Sequence, residues 1–281
     1  MLLLLRWTFL PFLLAALVGC AQMVSGIALE KRLPWQNREV AALQVTDLDQ
    51  AIDLLIEQRV SRNNALTLHI DGAAGFSRIK ELIRLAQRSL WFETFVWHDD
   101  ETGIAIAKLL QQRALEGVDV RVLLDAMGSN EHAGDRKVLR ILEDHGIPVR
   151  IYNPPIAKGM NVHLTHRKLY LADSDHAITG GMNIGNEYAN VWHDLVVEIK
   201  GAAARQMHVE FVHDWNAAQD GPPEPLLVRQ LSPAQKYGDQ AARVAVTSPY
   251  EGKRAEEIRR SISCAIDYAK QQICTFQLYL S

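Results

Sequence analysis

Residues 166–194 read HRKLYLADSDHAITGGMNIGNEYANVWHD. The alternation over His166–Ala172 predicts a strand. On it His166, Lys168 and Tyr170 share one face, while Leu169 and Leu171 point to the other, toward a core. Asp173-Ser174-Asp175 is turn chemistry. A return strand over Ala177–Thr179 then ends in Gly180-Gly181, where missing side chains leave room for a ligand at the backbone. Asn183 adds an amide donor, and Asp194 opens a third strand over Leu195–Ile199. One face therefore offers a nucleophile, a cation and neutral donors, the set a phosphodiester requires. Tyr170 shares that face and is a candidate pocket-lining residue. His163, just upstream, is a candidate contact for a phosphate or simply a strand residue. No metal-ligating cluster stands out, and no metal is expected at the site.

Outward from this stretch, helix and strand alternate. Thr46-x-x-Asp49 reads as a capping box ahead of Leu48, Ile52, Leu55 and Ile56, with a helix to about Arg62. Phe76, Ile79, Leu82, Ile83 and Ala86 recur at helical spacing, and Leu90–Trp97 is an aromatic-rich strand. Thr102 is placed to cap a helix that stops at Gly117. Val118–Leu124 is a strand, Lys137–His145 a helix, Val149–Tyr152 a strand and Ala202–Ala218 a helix. Such alternation predicts an α/β sandwich. Residues 219–242 hold four prolines and little periodicity, as a linker would.

A repeat follows. Ile79-x-x-Leu-Ile-x-x-Ala-x-x-x-Leu90 is echoed without a gap by Ile262-x-x-Ala-Ile-x-x-Ala-x-x-x-Ile273, preceded by a strand at Arg243–Thr247 and followed by one at Ile273–Leu280.

The spacing H-x-K-x4-D-x6-G-x2-N, filled by His166, Lys168, Asp173, Gly180 and Asn183, resembles the signature of the phospholipase D superfamily. By average composition its chance occurrence is on the order of one in ten thousand per chain. GGMNIGNEY, the W-x-D at Trp192–Asp194 and the segment Leu90–Asp125 are similar to its cardiolipin-synthase branch. The resemblance implies an α-β-α sandwich with a mixed sheet, one complete module plus the start of a second. It also implies a phosphatidyltransferase mechanism without cofactors. His166 would attack phosphorus to form a phosphohistidine, and Lys168 and Asn183 would hold the non-bridging oxygens. Asp173 would tie the turn, and Asp194 would orient the histidine ring. A second histidine would protonate the leaving alcohol, but only one motif is present. The alternatives are a truncated, inactive lipid-binding form, two copies each donating a motif as in a dimeric single-motif endonuclease, or a separate chain carrying the missing half. Water as acceptor would make the enzyme a phospholipase. The implied partners are anionic phospholipid, phosphatidylglycerol first, and a membrane.

The domain division expected from these readings is 1–20 signal, 21–64 helical segment, 65–218 first module, 219–242 linker and 243–281 start of a second module. Met1–Val18 is apolar apart from Arg6 and is interrupted by Pro11. The Leu17-Val18-Gly19-Cys20 that follows is similar to a lipoprotein signal with Cys20 as the lipidated residue, the alternative being an uncleaved anchor. That predicts a bacterial lipoprotein of the cell envelope. The whole chain has 281 residues, 30 Lys and Arg against 33 Asp and Glu, 48% apolar and 22% charged residues. Those proportions exclude a disordered tail and a polytopic membrane protein. Near-neutral charge disfavours a nucleic-acid partner. Cys264 and Cys274 are buried thiols or a pair. His193 is expected to be a bystander. Trp91, Trp97 and Trp192 are expected to be core rather than lipid-binding.

Overall fold

A computed structural model describes residues 45–58, 60–130, 136–152, 164–218, 224, 233–247 and 256–273. Cys20, His163, Cys274 and nearly all of the strand expected at Ile273–Leu280 lie outside the described residues. The elements in chain order are α1 (Leu48–Leu55), β1 (Ser61–Ile70), α2 (Gly72–Leu85), β2 (Ser89–Thr94), α3 (Glu101–Leu115), β3 (Asp119–Asp125), α4 (Ala126–Asn130), α5 (Lys137–Glu143) and β4 (Val149–Tyr152). They continue with β5 (Leu169–Ala172), β6 (His176–Gly180), α6 (Asn186–Asn190), β7 (Leu195–Lys200), α7 (Ala202–Ala217), β8 (Gln240–Ala242) and α8 (Glu257–Tyr268). The chain divides into two units, residues 59–244 and a second built from 1–58 with 245–281.

The first unit is an α/β fold on one eight-stranded mixed sheet of order β4-β3-β2-β5-β6-β7-β1-β8. β2, β3 and β4 run parallel, joined by helical crossovers as parallel strands require. β5, β6, β7 and β1 are antiparallel, and β5 lies between β2 and β6 at the centre. Strand alternation sorts the core. Leu90 and Phe92 of β2 join Ile79, Leu82 and Ile83 of α2 and Ile106 and Leu110 of α3 on one face. Trp91 points to the other, stacked on Phe211 of α7 at 5.4 Å. Trp91 and Trp97 are buried as expected, but Trp192 is 48% exposed.

Several boundaries differ from the sequence reading. α1 is capped by Asp47, which accepts from Gln50 N at 2.9 Å, and ends at Leu55 rather than Arg62. β1 was not legible, because its polar run Ser-Arg-Asn-Asn hides its pattern. Asn64 is nonetheless fully buried, with its amide donating to Gln240 O at 3.1 Å and accepting from Ala203 N at 2.9 Å. Asp100, not Thr102, caps α3. The strand expected at Arg243–Thr247 is instead β8, three residues earlier, which pairs with β1 and carries the sheet into the stretch read as linker. β5 begins only at Leu169, so His166 and Lys168 lie on the segment entering it.

In the second unit α1 and α8 pack through Ala51, Leu55, Ile56 and Cys264, a buried free thiol. Glu257 accepts from Glu57 N at 2.8 Å and Val246 N at 3.2 Å. The repeat is helical in both copies but differs in burial. Ile79, Ile83 and Leu90 are wholly enclosed, whereas their counterparts Ile262, Ile266 and Ile273 are 56%, 48% and 54% exposed.

Glu198 of β7 clasps β1, β6 and α2 together. It accepts from His69 at 3.0 Å, His176 at 2.8 Å and Arg78 at 2.9 and 2.6 Å. Burial would raise this carboxyl, but the bonds from His176, Arg78 and His69 outweigh it and hold the group well below the usual carboxylate range. Glu198→Gln should therefore destabilise the fold at pH 7 by about 3 kcal/mol. Because the native carboxyl is depressed, the difference should be complete above the ordinary carboxylate range and shrink as acid protonates Glu198, read by denaturant melts from pH 7 to 3.

Candidate active site

The segment entering β5 is anchored on both sides of His166. Thr165 N donates to Asp125 at 2.8 Å, and its hydroxyl donates to Glu93. Arg167 pairs with Asp214 of α7. The intervening imidazole is exposed and leans on the Phe95 ring at 4.7 Å. Lys168 is only 3% exposed, its ammonium donating to His166 O at 2.7 Å and lying 5.3 Å from the Phe95 ring centre.

Partial burial and the Lys168 charge lower the His166 pKa, with Asp125 opposing. The ring is thus held in the neutral, nucleophilic form. Burial lowers Lys168 to about 8, against the pull of Asp194, Asp125 and Glu93. A cation held at such cost marks a site that expects an anion.

The remaining expected residues take varied places. Asn183 is buried, accepting from Val96 N at 3.0 Å and donating to Tyr188 Oη at 2.8 Å. Asp173 receives Gln87 N at 2.9 Å, Arg88 N at 2.7 Å and Ser89 N at 3.1 Å, so it ties the β5–β6 turn to the start of β2. Asp194 accepts from Leu195 N at 2.7 Å and acts electrostatically on Lys168. Among the described residues no hydrogen bond joins Asp194 to His166.

Three expectations are corrected. Tyr170 does not line a pocket: it is fully buried, 5.0 Å from the Phe92 ring centre, with its hydroxyl donated to Met182 O at 2.7 Å. The space beside Gly180 and Gly181 belongs to the protein rather than to a ligand. A Cβ at Gly180 would strike Leu195 O, and one at Gly181 would strike the Asp194 carboxylate. Trp192 is no core residue; its exposed ring meets Tyr188 edge-on at 4.6 Å. His193 is exposed and paired with Asp71.

Sequence reading did not single out Asp125, Glu93, Phe95 and Asp214 as site residues. The available signal was an acidic residue inside an apolar strand, in LWFETF and in VRVLLD, since buried carboxyls occur only where something partners them.

A family model described as "Cardiolipin synthase, PLD-like domain" matches residues 79–215. The chain is thus similar to the cardiolipin-synthase-like branch of the phospholipase D superfamily. It is 30% identical over 258 residues to cardiolipin synthase A of Pseudomonas fluorescens (strain SBW25), covering 88% of this chain and 53% of the relative. It is 32% identical over 168 residues to a cardiolipin synthase of Listeria welshimeri, covering 57% of this chain and 34% of that one. The chain thus spans about half the length of the first relative and a third of the second. Solved structures similar to it include the phospholipase D family member Nuc from Salmonella typhimurium, at 19% identity and TM-score 0.48 over 56% of this chain and 98% of that one. Another is phosphatidylserine synthase from Haemophilus influenzae, at 16% identity and TM-score 0.49 over 76% and 58%.

The energetics of Lys168 give a test. Below pH 8 the buried ammonium is charged in both folded and unfolded chains and weakens the fold; above the ordinary lysine range of 10.5 it is neutral in both. Lys168→Met should be more stable than the parent by about 2 kcal/mol at pH 7, and the gain should fade between pH 8 and 10.5. Paired denaturant melts across that range check it.

Proposed function

We propose that this chain is a membrane-associated phosphatidyltransferase of the cardiolipin-synthase type. The supporting observation is the solvent-facing neutral imidazole of His166 beside the buried ammonium of Lys168, on a domain matched by the cardiolipin-synthase family model. A His166 ring nitrogen attacks phosphorus, and the bond to the leaving alkoxide breaks as the phosphohistidine forms. Lys168 holds a non-bridging oxygen, and Asn183 offers the amide N–H not given to Tyr188. Asp194 steadies the charge on Lys168. The leaving alcohol takes its proton from a second histidine, supplied by a second copy or by another module. An acceptor hydroxyl then attacks the phosphohistidine and frees the ring.

Apolar side chains around the charged centre support a phospholipid substrate. Met127 and Leu164 flank the backbone groups that Asp125 binds, and are 59% and 41% exposed. Val191, Trp192 and Leu195 lie within three residues of Asp194 and are 76%, 48% and 42% exposed. A phosphate between acyl chains and a polar headgroup matches that arrangement, and lipidation at Cys20 would place it at a membrane.

Exposure of His166 to solvent also favours a hydrolytic reading, with water as acceptor. Given vesicles of phosphatidylglycerol, the purified chain should yield cardiolipin and glycerol, and His166→Ala should lower the rate at least about a thousandfold. Phosphatidic acid as sole product would assign hydrolysis. Turnover unchanged in the variant would refute the mechanism.

A further inference from the structure

We infer that Glu93 and Asp214 are positioning residues for His166, acting through the residues on either side of it, Thr165 and Arg167. The role deepens the phosphohistidine reading and rests on it only for its purpose. Glu93, next to last in β2, has no exposed surface, Asp214 on α7 is 5% exposed and Thr165 is 3% exposed. Glu93 Oε1 receives the Thr165 hydroxyl, while Asp214 receives the Arg167 guanidinium. The two carboxyls also interact directly with each other. His166 is thus suspended between two side chains that point away from it into one buried cluster below the sheet.

Charge counting explains how the cluster persists. Facing it are Glu93 from β2, Glu210 and Asp214 from α7, Arg167 and the ammonium of Lys168 from the segment before β5, and Tyr152 at the end of β4. His213 lies at the rim, 4.0 Å from Glu210. Three buried carboxylates against the Arg167 guanidinium and the Lys168 ammonium would still carry excess negative charge out of reach of water. A single proton held between Glu93 and Asp214 relieves it and turns their repulsion into a hydrogen bond. Burial pushes both groups upward; Glu93 raises Asp214 further, while the bond from Asp214 pulls Glu93 back down, in keeping with that sharing. Arg167 keeps a charged partner, and Glu93 keeps an acceptor oxygen for Thr165.

The test uses the full chain and reads His166 without turnover. Diethyl pyrocarbonate modifies neutral imidazoles, and the rate at His166 is followed by peptide mass spectrometry against exposed His145 and His193. Infrared spectra of the same samples report the carbonyl stretch of a protonated carboxyl. Glu93→Gln mimics the protonated acid, so the carboxyl band should vanish while His166 keeps its parent rate. Asp214→Asn and Glu93→Leu should remove the band and change the His166 rate by about fivefold or more relative to the reference histidines. If Glu93→Leu does not fold, the two isosteric variants still decide. The inference is overturned if the parent lacks the band, if the band survives Glu93→Gln, or if His166 reacts at its parent rate in Asp214→Asn. Cleavage of phosphatidylglycerol is measured in parallel. Its absence with the band and rate changes intact would count against the phosphohistidine reading and leave the positioning role standing.

Discussion

The structure turns on keeping an ammonium out of water beside an imidazole. Lys168 is almost wholly enclosed, donates to the carbonyl of His166 and lies against Phe95. Water would solvate that charge far better than a protein interior does. The carboxylates of Asp194 and Asp125 offset part of the cost at a distance. The same charge helps keep the imidazole neutral. An anion entering the site would restore what burial took away, so binding and chemistry draw on one electrostatic imbalance.

That imbalance is held in place by the centre of the sheet. β5 sits between β2 and β6, so the segment leading into it is gripped on either side of His166: by Asp125 and Glu93 through Thr165, and by Asp214 through Arg167. Gly180 and Gly181 at the end of β6 belong to the same frame, since side chains there would displace β7 and the Asp194 carboxylate. Fold and site are therefore built from the same contacts.

The motif spacing, the α/β alternation and most core positions were readable because period and residue type carry them. His166 and Lys168 were legible as a nucleophile beside a cation. What sequence could not display was direction. Tyr170 shares the motif's face yet lies inside, because the next turn of chain supplies Met182 O for its hydroxyl. β1 was lost because a buried Asn64 looks like a loop residue until its partners on β8 and α7 are known. The acidic residues beneath the motif were hidden for the same reason, as their partners come from distant elements. The repeat was legible as a pattern, but its second helix exposes the isoleucines that the first one buries. Likeness of sequence there does not carry likeness of packing.

The central claim is that His166 forms a covalent bond to phosphorus. Brief incubation with phosphatidylglycerol vesicles, an alkaline quench and peptide mass spectrometry would test it most directly. The account predicts an acid-labile phosphatidyl adduct on the peptide bearing His166, absent when His166 is replaced. Lipid turnover that proceeds with His166 unmodified throughout, or an adduct on another side chain, would contradict it.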